Sequence, residues 1–326
     1  MRAGENKQPL KVILANPRGF CAGVERAIET VECALARFGA PVYVRHEIVH
    51  NRRVVDELAS RGAVFVERVE DVPFGAVTVF SAHGVSRKVA REAVACGLHV
   101  IDATCPLVAK VHKEGQRYAA MGCEVILIGH AGHPEVIGTL GQIPGPVHVI
   151  ADAASVRNLP IAADADVAYV TQTTLSILDT RDIITAICQR WPNALGPDTR
   201  DICYATQNRQ QAVLDMAAEI DLLLVVGATN SSNSNRLREI GAQRGIASHL
   251  VGSARDIRSS WLEAAGAIGV TAGASAPEIL VREVIARIAR HREIEIEERA
   301  GVREDIAFRL PRELDEIAPA GAQMSA

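Results

Sequence analysis

The stretch KVILANPRGFCAGVERAIETVECALAR, Lys11 to Arg37, holds the fold in miniature. Lys11 to Ala15 is an apolar run of strand length. Val24 to Arg37 repeats its apolar residues three and four apart, as a helix does, and Cys21 lies in the turn between them.

Outward from this stretch the pattern recurs. VTVFS (Val77 to Ser81), EVILIG (Glu124 to Gly129), VAYVT (Val167 to Thr171), DLLLVVG (Asp221 to Gly227) and AIGVT (Ala267 to Thr271) are short apolar runs, each followed by helical spacing. Helices are predicted, for example, over Lys88 to Ala95, Val108 to Ala120, Asp179 to Arg190, Gln207 to Glu219 and Glu278 to Ala289. Buried strands alternating with helices imply an α/β protein with mostly parallel sheets.

The order of features repeats three times with a period of about 90 residues. Each repeat opens on a loop cysteine before a helix: GFCAGVERAI, DATCPLVAKV and DICYATQNRQ, with Cys21, Cys105 and Cys203. Each continues to a polar strand end, at His50 in EIVHNRRVV, His130 and His133 in GHAGHPEVI, and Ser231 to Asn233 in GATNSSNSN. Each closes on AHGVS, TQTTLS or TAGAS, which contain His83, Thr173 and Ser275. The expected domains are residues 10–103, 104–200 and 201–290. A tail over 291–326 is expected to pack back in part, with DIAFRLPREL as a short strand and helix.

The 326 residues carry a net charge of −4 and 48% hydrophobic residues, enough apolar material for several cores and no basic surface for nucleic acid or anionic lipid. The opening MRAGENKQPL lacks the pattern of a secretory signal, and no apolar run approaches the roughly 20 residues of a membrane span. A cytoplasmic location is expected. Seven cysteines, an odd number, point to thiol, metal or redox chemistry and away from a disulfide framework.

Cys21, Cys105 and Cys203 are each expected at a strand-to-helix turn, where a helix N-terminus favours the thiolate. Cys33, Cys96, Cys123 and Cys188 fall within or beside regular elements and read as small core hydrophobes. The three loop thiols alone suit packing, a zinc ion with an open position, or three corners of a 4Fe-4S cluster. A zinc hydrolase or lyase and a non-catalytic iron-sulfur sensor are therefore the rival readings.

The polar strand ends are rich in His, Ser, Thr and Asn, donors suited to a small anion such as a phosphate or diphosphate. The same residues suit helix capping, with capping-box spacing in Ser176 to Asp179 and Ser275 to Glu278. Glu135, after His133 and Pro134, is the acid–base candidate, because a carboxyl group in a closed site has a raised pKa. Neither GxGxxG after a strand nor GxxxxGK[ST] occurs, so electrons would come from another protein.

GFCAGVERAI, RHEIVHNRRVVDEL, SAHGVS, DATCPLVAKVH, GHPEVIGT, TQTTLS, DICYATQNRQ, NSSNSNRL and TAGASAPE together resemble the 4-hydroxy-3-methylbut-2-enyl diphosphate reductase family, over about Leu10 to Arg290. The resemblance implies three α/β domains in a pseudo-threefold trefoil around one 4Fe-4S cluster with three cysteine ligands, Cys21, Cys105 and Cys203, and one open iron. It further implies that His50, His83, His133, Ser231, Ser232, Asn233 and Ser275 hold the diphosphate, that Thr173 meets the hydroxymethyl end, and that Glu135 relays protons. The implied reaction is a two-electron reductive dehydroxylation giving isopentenyl and dimethylallyl diphosphate, with ferredoxin or flavodoxin as donor.

Overall fold

The computed structural model describes residues 9–197 and 201–316. In chain order, β1 (Leu10–Leu14) leads to α1 (Ala22–Phe38), β2 (Val42–Arg45), α2 (Arg52–Ser60), β3 (Ala63–Val66), β4 (Val77–Phe80), α3 (Arg87–Ala95) and β5 (His99–Asp102). Then come α4 (Pro106–Ala120), β6 (Glu124–Ile128), α5 (Pro134–Gln142), β7 (Val147–Ile150), β8 (Val167–Thr171) and α6 (Ile177–Arg190). The chain continues through α7 (Tyr204–Met216), β9 (Leu222–Val226), α8 (Ser232–Gln243), β10 (Ala247–Val251), α9 (Ser259–Ala264) and β11 (Ala267–Ala272). It closes with α10 (Glu278–His291), β12 (Ile294–Glu298) and α11 (Glu313–Glu316).

The strands form three sheets, ordered β10-β9-β11-β1-β12, β3-β2-β4-β5 and β7-β6-β8. Every strand pairing among the described residues is parallel. The α/β expectation with parallel sheets therefore holds. One order underlies all three sheets when strands are counted from β2, β6 and β9: that strand lies between the next two in the chain, and a fourth position joins the third. That position is taken by β5 in one sheet, by a single bridge from Leu195 to Ala168 of β8 in another, and by β1 beside β11 in the largest.

The chain separates into two compact units, one made of the described residues up to Cys21 with Tyr204–Asp305, the other of Ala22–Cys203 with the described residues from Ile306. This differs from the expected first domain at its start. β1 belongs with β9 to β11 because LKVIL is buried along nearly its whole length, which suits a strand flanked on both sides. β12 lies next to it as the outer strand, and its sequence IEIEE keeps charge on an open edge. The tail thus contributes a strand at 294–298, not within DIAFRLPREL, where only the short helix α11 forms.

In the first unit, Val12, Leu224, Val270 and Val284 fill one face of the sheet and Ile13, Val213, Leu223 and Leu237 the other. Each such fully buried side chain contributes about 1.5–3 kcal/mol. In the second unit, Ile126, Tyr169, Ile187 and Trp191 pack one face of β7-β6-β8, and Val111, Leu127 and Val170 the other. Phe80, Val85 and Ala93 anchor the β3-β2-β4-β5 sheet. Parallel sheets covered in this way send their carboxyl ends, and the helix starts that follow, to one edge, where ligands bind in such folds. Among the described residues, no helix is long and apolar enough to cross a membrane.

Candidate functional site

In the second unit three histidines gather at the strand ends. The His50 and His83 rings lie 4.2 Å apart, and His133 stands 5.6 Å from His50 and 6.0 Å from His83. His50 precedes Asn51, whose side chain caps α2 by accepting from the Val54 amide. His83 precedes Gly84, which has a φ of +79° and carries the chain into α3. His133 is itself the N-cap of α5, with Pro134 at the first helical position.

The imidazoles are held neutral. Burial lowers His83 well below the ordinary histidine value, with His50, His133, His46 and Arg45 adding to the effect. Burial and the neighbouring histidines bring His133 down to about 4. His50 is also lowered by burial, although Glu47, 3.1 Å from its Nδ1, opposes this. His133 Nδ1 accepts from the Glu135 amide at 3.2 Å, so the neutral ring carries its proton on Nε2, where it serves as a donor. His83 Nδ1 lies 3.3 Å from Ser81 Oγ.

Glu135, in the first turn of α5, is 3% exposed. Its Oε1 accepts from the Thr173 amide at 2.7 Å and its Oε2 from Thr173 Oγ1 at 3.0 Å. Burial pushes the carboxyl up to about 7, against the downward pull of these two bonds. One lone-pair position on each oxygen remains for a proton. Thr173 also accepts from the Cys203 amide at 3.1 Å, so one residue joins the carboxyl group to the third cysteine loop.

Cys105 is the N-cap of α4, and Cys203 immediately precedes α7. The expected strand before Cys203 is reduced to the Leu195 bridge, and residues 198–200 lie outside the described residues. Asp201, beside this loop, accepts from the Thr171 amide and from Lys110, both at 3.3 Å. Burial and Glu114 raise it to about 7. Sequence reasoning passed over Asp201, and also His46, which stands 6.0 Å from His50 and 6.1 Å from His83. The spacing of His46 four residues before His50 was the available signal.

In the first unit Cys21 immediately precedes α1, and its amide donates to the Ala274 carbonyl at 3.3 Å. Asn233 Oδ1 accepts from the Ala274 amide at 3.0 Å, which couples the NSSNSN helix start to the cysteine loop. Ser231 caps α8, accepting from the Ser234 amide at 3.3 Å, and Ser232 is half-buried. Ser275 is buried but does not cap α10, whose N-cap is Pro277, so the capping-box reading fails there because the helix starts late. Ser176 does cap α6.

Cys21, Cys105 and Cys203 are half-buried. Cys188 is exposed on α6, contrary to the core reading, whereas Cys33, Cys96 and Cys123 are half-buried. Cys21, Cys105 and Cys203 each stand at the start of a helix of thirteen residues or more, where the helix field favours thiolate. Thiolates suit soft metals and iron-sulfur clusters better than hard cations. Among the described residues, no group of three or more His, Cys, Asp or Glu is arranged to hold a metal ion.

The family described as LytB protein matches residues 12–289. The 4-hydroxy-3-methylbut-2-enyl diphosphate reductase of Zymomonas mobilis is 60% identical over 93% of this chain and 89% of its own length. That of Burkholderia pseudomallei is 58% identical over 94% and 97%. The structure of the E-1-hydroxy-2-methyl-but-2-enyl-4-diphosphate reductase from Plasmodium falciparum superposes with a TM-score of 0.89 at 36% identity, covering 94% of this chain and 97% of that one. With the family match running through nearly all of the three sheets and relatives this similar along more than nine-tenths of the chain, the chain belongs to the LytB family.

Proposed function

We propose that the chain is a 4-hydroxy-3-methylbut-2-enyl diphosphate reductase, which removes the allylic hydroxyl as water with two electrons and two protons and releases isopentenyl and dimethylallyl diphosphate. The observation that carries this reading is the buried Glu135, held by Thr173 and bonded through its amide to His133 of the three-histidine cluster, in a chain of this family.

Cys21, Cys105 and Cys203 are the proposed thiolate ligands of a 4Fe-4S cluster that has one iron without a protein ligand. When bound, such a cluster would supply electrons and Lewis acidity. A separate carrier protein such as ferredoxin or flavodoxin is the proposed electron donor.

The protein residues bind and protonate. His133 and His83 bring neutral N–H donors to the diphosphate, and His50, whose Nδ1 proton is directed at Glu47, is assigned to the same anion as a donor from Nε2 once it is protonated; the starts of α2 and α5 add their positive ends. Ser231, Ser232, Asn233 and Ser275 are assigned to the same diphosphate. Thr173 fixes both oxygens of Glu135 and meets the hydroxymethyl end of the substrate. Protonated near neutrality, Glu135 gives its proton to the departing hydroxyl, and a second proton completes the allylic product.

The test is anaerobic purification followed by turnover with a chemical reductant. Iron and sulfide in about equal amounts, with substrate-dependent oxidation of the reductant, are expected for a 4Fe-4S reductase. A colourless protein that contains zinc and no sulfide overturns the reading. Intact turnover in Glu135→Gln removes the proton role.

A further inference from the structure

The family motifs leave the C-terminal tail unexplained, yet residues 294–304 follow the β1–Cys21 segment along its length within the first unit. β12 pairs with β1 from Leu10↔Ile294 to Leu14↔Glu298, and the Arg299 amide then donates to the Leu14 carbonyl at 3.1 Å. Gly301 lies so close to the Asn16 carbonyl that not even a methyl group fits on its α-carbon. Two arginines finish the run, each paired to a glutamate of the tail. Arg18 bonds Glu298 at 2.9 Å and Glu278 at 2.8 Å, and Arg209 bonds Glu304 at 3.0 Å.

Arg209, whose side chain is 1% exposed, is the central element. Its Nε donates to the Gly19 carbonyl and its Nη2 to the Phe20 carbonyl, both at 2.9 Å, while Nη1 donates to Ala205 at 2.9 Å. The planar fork thus grips the two peptide groups directly before Cys21. A buried guanidinium needs an anionic partner, and here the tail provides it. Glu304 accepts from Arg209 through both oxygens and from Asn208 Nδ2 at 2.9 Å.

We infer that the segment 294–304 is a strap that positions the Cys21 loop, with Glu304 acting through Arg209 as a positioning residue for the cluster ligand. The inference rests on the cluster reading for its consequence, but the strap can be tested without it. Glu304 has no place among the proposed ligands or substrate contacts.

Hydrogen exchange of the peptide covering residues 15–21 is compared in the full-length, as-isolated parent, Glu304→Gln and Arg209→Lys. Both variants avoid deleting the buried side chain. Glu304→Gln removes the counter-charge. Arg209→Lys keeps a cation beside Glu304 but cannot span two carbonyls and a carboxylate. Exchange in this peptide is expected to rise at least tenfold in both, with peptides around Cys105 and Cys203 unchanged, an altered electron-paramagnetic spectrum of the reduced cluster, and tenfold faster iron release to a chelator. Unchanged exchange over 15–21, an equal rise through both units, or faster exchange with the parental spectrum and iron release each overturn the inference. A preparation without iron and sulfide refutes the cluster assignment alone, and the exchange comparison then decides the strap.

Discussion

Glu135→Gln tests how the site stores a proton. In the folded chain the carboxyl titrates at about 7, against an ordinary value of 4.5, because burial removes water from the charged form. The sign follows from linkage. Between these two values the folded state binds more protons than the unfolded state, so the contribution of Glu135 to stability is complete below 4.5 and is lost as pH rises through about 7. At about 1.4 kcal/mol per pKa unit, the gap amounts to about 3 kcal/mol. Glutamine keeps the shape and can still accept from the Thr173 amide at Oε1, and Thr173 Oγ1 can accept from the new amide nitrogen. Its stability should therefore lack this component of pH dependence. Urea denaturation of parent and variant at pH 4.5 and 8.5 measures the difference, and infrared difference spectra follow the protonated carboxyl directly. A band that titrates with the ordinary surface carboxylates, or identical pH dependence in the two proteins, would refute the burial account. Reductive turnover of the parent should fall above pH 7 as the proton is lost.

Four further outcomes are expected. Cys21→Ser, Cys105→Ser and Cys203→Ser should each lose the intact cluster, whereas serine at Cys33, Cys96, Cys123 or Cys188 should keep it; iron and sulfide analysis separates the groups. Gly84→Ala should cost about 2 kcal/mol in denaturant titrations and weaken diphosphate binding, because the residue has a φ of +79° and its new Cβ would stand 2.7 Å from His112 Cε1, beside His83. Ser231→Ala should cost about 1 kcal/mol by removing the α8 cap, and more in substrate affinity if the serine binds phosphate as proposed. His133 should titrate near 4 by nuclear magnetic resonance; being depressed, it supports the fold above its ordinary 6.5 and this support is lost as pH falls through about 4.

The strands and helices were legible because their apolar periods are unambiguous. Val167 to Thr171 appears with the expected bounds, and Glu278 begins its helix where expected. The destination of β1 was not legible: LKVIL carries the same signal whichever sheet it enters, and partner choice depends on contacts more than 200 residues away in sequence. At the site, the gathering of His50, His83 and His133 follows from their shared position after strands of parallel sheets. The raised titration of Glu135 was foreseeable from burial, whereas its double hold by Thr173 needed the loop geometry. Arg209 read only as part of a helix, since nothing local shows that its partner is Glu304.

The position of β1 has a consequence for synthesis of the chain. Its neighbours β11 and β12 are made more than 250 residues after it, so at roughly 5–20 residues per second the leading segment waits tens of seconds after its synthesis before it can pair. During that interval Lys11 to Ala15 is an unpaired apolar edge, exposed to chaperones and to wrong partners. The Cys21 loop acquires its final shape only after β11 and β12 have been made, so the assembly of this thiol environment waits on a distant part of the chain by topology alone.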